Sequence, residues 1–224
     1  LAKLAEYDDR YGYFHTAGNN VDWIAELPHR DRLIGVWSLT CATAARCVEP
    51  GSPSSEERIE AARKCQSWGL PVRFKFKPMI PVRNWQEEYA QAIDTIFHNT
   101  SPESLGFCIL MWMNFERLAG MIDLDLLDPE YVEAARSRAD ELRDVRTGPF
   151  PHELRARAYR YLINEIRKHD KRIPIYISTE SREMWDELSG ELGQDPRSFI
   201  CGCNPIEAPG PRMMPSDQLA RSTY

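Results

Sequence analysis

What the sequence lacks narrows its reading first. No apolar run approaches the roughly 18 residues that a membrane-spanning helix needs. Residues 1–10 carry acids where a secretory leader has a basic flank and an apolar core. A cytoplasmic protein with no membrane partner is therefore expected. There are six cysteines, Cys41, Cys47, Cys65, Cys108, Cys201 and Cys203. Without a leader they read as reduced thiols and not as a disulfide framework. No C-x2-C pair is present, so a zinc site built from Cys201 and Cys203 with Cys41 or Cys47 lacks the usual paired spacing. A nucleophile elbow, a phosphate-cradling glycine loop and an internal repeat are also missing. Positive charge is not in excess: the net charge of -6 argues against holding nucleic acid by bulk electrostatics.

What is there suits one globular unit. The 224 residues are 42% hydrophobic and 28% charged, enough apolar material for a single core. One stretch runs against the acidic balance. Between Glu133 and Arg172 basic residues outnumber acids, with Arg136, Arg143, Arg146, Arg155, Arg157 and Arg160 among them. The chain opens at Leu1 inside helix-like sequence, which resembles a cut and predicts that residues upstream are missing.

Short apolar runs alternate with amphipathic segments, the pattern of parallel βα units. Strands are expected over residues 11–16, 33–39, 72–76, 106–113 and 173–177. The third is closed by Pro78 and Pro81, and Pro174 suggests an edge position or a strand end for the fifth. Helices are expected over residues 21–27, 58–68, 85–97, 129–144, 151–169 and 180–192. Ser54-Ser55-Glu56-Glu57 caps the second of these and Gly69 stops it. The tail beyond Asn204, with Pro205, Pro209, Pro211 and Pro215, reads as irregular. Five strands are too few to close an eight-stranded barrel, so the fold class is α/β, with a partial barrel or an open sheet.

The informative segment is residues 38–89. It reads Ser38-Leu39, Glu49-Pro50-Gly51-Ser52-Pro53, Glu57-Arg58-Ile59-Glu60-Ala61-Ala62-Arg63-Lys64, Gly69-Leu70-Pro71, Pro78-Met79-Ile80 and Asn84-Trp85-Gln86-Glu87-Glu88-Tyr89. In order and spacing it resembles the spore photoproduct lyase family of radical S-adenosylmethionine (SAM) enzymes. Weaker similarity reaches Phe14-His15, Val21-Asp22 and residues 158–177. The resemblance implies the C-terminal portion of a partial parallel (β/α) barrel of the radical SAM type over residues 1–180. Residues 181–224 would form a helix and an irregular tail beyond the lyase's end.

The same resemblance implies SAM as cofactor and 5'-deoxyadenosyl radical chemistry, with DNA lesion repair or another nucleotide-containing substrate in view. The family's C-x3-C-x2-C motif, which binds a [4Fe-4S] cluster, occurs nowhere in this sequence. The cluster is therefore expected only from an absent N-terminal half, this chain alone is expected to be inactive, and no metal ligand is assigned on it.

Ser38 falls near the C-terminal end of a strand, where parallel α/β proteins gather ligand groups, and is expected to donate to the SAM amino acid or ribose. His15 and Asn19 end the first strand and its loop on the same side. Pro78 and Met79 are expected as an apolar shelf for adenine, or else as ordinary core. Arg58 either anchors a carboxylate or shapes the Glu49 to Pro53 loop. Catalytic residues are not assigned.

Two departures stand out. The strand near Tyr13 lacks the lysine that the lyase has beside its Phe-His pair, and a shorter stretch, residues 142–150, replaces the DNA-engaging hairpin. Trp37, Trp68, Trp112 and Phe115 read as base-stacking groups or as core. Glu116, Asp123 and Asp125 read as an acid-base set or as solvated loop acids. The rival readings are a non-catalytic binding or structural fragment, and a nucleic-acid-binding module acting through the arginine-rich stretch.

Overall fold

Stiff apolar runs that alternate side to side form strands, and five of them define this molecule. A computed structural model describes residues 1–8 and 10–193. A short helix, α1 (Ala2–Ala5), precedes strand β1 (Gly12–Thr16), which leads through two single-turn 3-10 segments to β2 (Leu33–Leu39). Helices α2 (Ala42–Cys47) and α3 (Ser55–Ser67) connect to β3 (Val72–Met79), and α4 (Trp85–Asn99) connects to β4 (Leu105–Ile109). Four helices follow: α5 (Phe115–Met121), α6 (Pro129–Ser137), α7 (Ala139–Leu142) and α8 (His152–His169). They lead to β5 (Ile175–Ile177) and then α9 (Arg182–Leu192). All four strand pairings are parallel and spatial order equals chain order, as in a barrel being wound. β1 and β5 occupy the edges of the sheet.

Alternation gives the sheet two unlike faces. Trp37, Leu39, Phe74, Phe76, Phe107, Ile109, Ile175 and Ile177 join one apolar cluster with Ile59 and Ala62 of α3, Ile93 and Ile96 of α4, Leu162 and Ile166 of α8, and Leu188 of α9. The opposite face carries His15, Val36, Ser38, Arg73, Lys75, Gly106 and Tyr176, in register across the strands. Two buried cations on this face need partners. Arg73 meets Glu103 at 3.1 Å, and the Lys75 ammonium sits 5.7 Å from the Tyr176 ring centre. Gly106 pairs with both Lys75 and Tyr176, and a side chain there would overlap the Tyr176 ring.

Local chemistry explains where the elements start. The Ser54 hydroxyl accepts from the Glu57 N–H while the Glu57 carboxylate accepts from the Ser54 N–H, a complete capping box on α3. Asp128 caps α6, with Pro129 in its first turn, and Ser181 caps α9.

Several elements differ from expectation. The helix expected over residues 129–144 is divided at Arg138 into α6 and α7. Here the Ser137 hydroxyl donates to the Ala134 carbonyl at 3.2 Å, competing with the helical ladder. β3 does not stop before Pro78 but runs to Met79. The proline falls where the register shifts between Phe76 and Met79, a place that tolerates a missing N–H. β4 ends at Ile109, short of Met113, because the chain turns into left-handed backbone at Trp112, with φ of 67°. The segment after β1 is a 3-10 helix over Asp22–Glu26. β5 takes an edge, and Pro174 falls just before its first residue. Cys201, Cys203 and the proline-rich tail lie outside the described residues. No helix among the described residues is long and apolar enough to cross a membrane.

Candidate functional site

Side chains at the C-terminal ends of parallel strands project into a common space, and here that space is a cleft of about 430 Å³. β1 and the residues after it give His15, Thr16 and Ala17, β2 gives Ser38, β3 gives Lys77 and Pro78, and β4 with its exit gives Cys108 to Trp112. The His15 Nε2 and the Ser38 hydroxyl lie 3.0 Å apart, a polar pair on adjacent strands. Lys77 adds a half-buried cation, and Pro78, Ile109, Leu110 and Met111 an apolar wall.

Buried contacts fix the frame. Arg58 is fully buried and ties three segments together. It donates to the Ser38 carbonyl at 3.1 Å, to the Pro53 carbonyl at 2.9 Å and to the Glu49 carboxylate at 2.6 Å. The carboxylate it anchors is thus the protein's own, and its role is to shape the loop behind Ser38. Tyr89 clamps the exit of β3 by accepting from the Ile80 N–H at 2.7 Å. Behind the β4 end, Glu180 is enclosed. It pairs with Arg155 at 3.0 Å and accepts from the Tyr159 hydroxyl at 2.7 Å. That hydroxyl in turn accepts from the Ile109 N–H at 3.2 Å. Burial, with the Glu180 charge beside it, pushes the Tyr159 phenol well above its ordinary range.

Cys108 faces the cleft with its sulfur 3.2 Å from the Thr179 hydroxyl. Burial pushes this thiol up and keeps it neutral. Trp112 and Thr179, two of the non-glycine residues with positive φ, both sit just beyond strand ends at this rim. Such backbone concentrates at ligand sites.

Of the five residues expected to contact a cofactor, the fold brings His15, Ser38 and Pro78 together around the cleft. Asn19 is exposed and lies outside the cleft lining, and Met79 is fully buried in the core. Of the two residues expected as an apolar shelf, only Pro78 lines the cleft. Sequence reading missed Lys77, Cys108 and the 109–111 wall. The period-2 series Arg73, Lys75, Lys77 on β3 was the available signal.

Trp37 is core, whereas Trp112 is 47% exposed at the rim. Asp123 caps a 3-10 turn and Asp125 is solvated, its side chain 94% exposed; they form no acid-base pair. The arginine-rich stretch is laced by carboxylates: Arg136–Glu133, Arg138–Glu153, Arg157–Glu130 and Arg160 with Glu187 and Glu191. Most of its positive charge is thereby neutralised locally, and the net-basic appearance does not produce a continuous phosphate-binding face.

An open run of parallel βα units with its cleft at the strand ends is the architecture of a radical SAM barrel, in part. Spore photoproduct lyase structures share it. One variant matches with a TM-score of 0.59 at 16% identity over 78% of this chain and 52% of that chain. Another gives 0.59 at 16% identity over 80% and 53%. A variant with bound AdoMet and dinucleoside spore photoproduct gives 0.57 at 16% identity, also over 80% and 53%. The chain therefore spans about half the length of these proteins. No curated protein matches it. The family model for spore photoproduct lyase matches residues 4–119, just over half of the 224. The chain belongs to the spore photoproduct lyase family.

Proposed function

We propose that this chain is the cofactor- and substrate-holding half of a spore photoproduct lyase-like radical SAM enzyme, acting on a DNA lesion or another nucleotide-containing substrate. The observation that carries the reading is the cleft formed by His15, Ser38, Lys77 and Pro78 at the strand ends. Its donor set suits SAM. Ser38 and His15 would bond the ribose or amino acid, Lys77 would face the carboxylate, and Pro78 with the 109–111 wall would enclose the apolar remainder. The cleft volume falls within the usual small-molecule range.

If bound, SAM would supply a 5'-deoxyadenosyl radical for hydrogen abstraction when an electron from a cluster outside this chain cleaves its C5'–S bond and releases methionine. The residues of this chain bind and orient: Arg58 holds the Ser38 backbone in place, and the apolar wall excludes water from the reacting region. Among the described residues no group of three His, Cys, Asp or Glu fits a metal. An iron-sulfur cluster would draw its ligands from outside the described residues.

Calorimetric titration with SAM tests the reading. Micromolar binding that weakens on Ser38→Ala supports it, and no binding by the full chain overturns it in favour of a structural fragment.

A further inference from the structure

Beside the cleft, and sharing Trp112 with it, lies a groove of about 340 Å³ lined by Met113, Asn114, Arg117, Arg143, Asp144, Val145 and Arg146. The groove is held open by backbone contacts. The Trp112 N–H donates to the Arg146 carbonyl at 3.2 Å. Gly148 packs so closely that a side chain on it would lie 3.1 Å from the carbonyls of both Leu142 and Met113. The Asn114 side chain accepts from the Arg117 N–H at 2.9 Å, fixing the first turn of α5 and with it the base of Arg117. The segment around Trp112 and the loop over residues 143–148 are thus joined.

Ion pairing in this groove is partial. Arg143 is engaged by Asp140 at 2.6 Å and approached by Glu116 at 3.9 Å. Arg117 and Arg146 carry no carboxylate partner among the described residues, although the protein is acidic overall, at -6. Two guanidinium groups left open on one groove form a fork suited to an oxyanion. The exposed Trp112 ring beside them offers a stacking platform.

We propose that this groove is an oxyanion subsite: Arg117 and Arg146 bind a phosphate or carboxylate group of a ligand whose planar part lies against Trp112 at the mouth of the cleft. The subsite needs no SAM, so SAM titration and the test below can fail independently.

The test is calorimetry on the full chain with phenyl phosphate, benzoate and uncharged benzyl alcohol at low salt. At least one anion binds about tenfold tighter than the alcohol, as charge-assisted hydrogen bonds predict. The margin collapses in the Arg117→Gln/Arg146→Gln double variant and survives in Arg63→Gln, a distant control. The anion preferred identifies the oxyanion. Circular dichroism verifies folding, and an Arg117→Lys/Arg146→Lys variant, which keeps the charge, retains part of the margin. No preference in the unaltered chain, or an undiminished preference in the glutamine variant, overturns the proposal.

Discussion

Ser38 and His15 face each other across adjacent strands, with Oγ to Nε2 at 3.0 Å, at the lip of a cleft that neither strand forms alone. Each side chain holds the other's polar atom in place, so a ligand entering the cleft meets a positioned donor and acceptor. Ser38→Ala removes one hydrogen bond and leaves the packing intact. SAM affinity measured by calorimetry is expected to fall about three- to tenfold, with the denaturation midpoint nearly unchanged.

Arg58 is a different case, because its side chain is 1% exposed and Glu49 beside it 25%. Arg58→Met leaves the Ser38 and Pro53 carbonyls and the Glu49 carboxylate without their donor. A loss of about 3 kcal/mol in urea unfolding is expected, together with weaker SAM binding. Full stability in this variant would show that the tie is dispensable.

Gly106 lets the Tyr176 ring lie across the sheet, where it meets the Lys75 ammonium. The ring is buried and cannot retreat. Gly106→Ala is expected to cost about 2 kcal/mol or more by overpacking, read as a lowered melting temperature. Gly120→Ala, on an open stretch of α5, should be neutral or stabilising.

Thiol reactivity should be ordered by burial. Desolvation pushes Cys41 and Cys65 up to about 12, so both stay protonated and unreactive. Cys47 is exposed. Mass spectrometry after brief iodoacetamide treatment at mildly alkaline pH should find Cys47 alkylated well ahead of Cys41, Cys65 and Cys108.

Acid should weaken the α8–α9 contact. His152 and Arg160 hold the Glu187 carboxyl below its usual 4.5, and Arg157 does the same for Glu130. With folded values lowered, the unfolded chain binds more protons in acid. The contribution is complete above about 4.5 and is lost as pH falls through the folded values. Both groups are solvent-screened, so each effect is a few tenths of a kcal/mol. Urea midpoints measured from about pH 6 to pH 3 should fall less steeply in Glu187→Gln than in the unaltered chain.

The strands were legible because Leu33 to Leu39 is a nearly continuous apolar run and Val72 to Phe76 alternates apolar and charged residues, and α3 because its capping box is written in adjacent residues. α2 and α5 escaped notice, being too short for a helical period to declare itself. Ser38, His15 and Pro78 could be placed by the rule that ligands gather at strand ends. Met79 and Asn19 could not, since one residue along a strand reverses the face and one in a loop has no fixed direction. The ion pairing of the arginine-rich stretch was not legible for a further reason: the Arg160 partners Glu187 and Glu191 lie on another helix and are remote in sequence.

The two-sidedness of β3 also bears on which changes this chain can absorb over generations. Loops accept inserted and deleted residues, but a single insertion directly after Val72 would turn Arg73 and Lys75 into the dry helix layer and Phe74 and Phe76 out of it. Surrounding segments are free to drift in length while the spacing within this strand is held. Lineages that vary elsewhere should keep the spacing from Val72 to Phe76 and its charge on alternate positions.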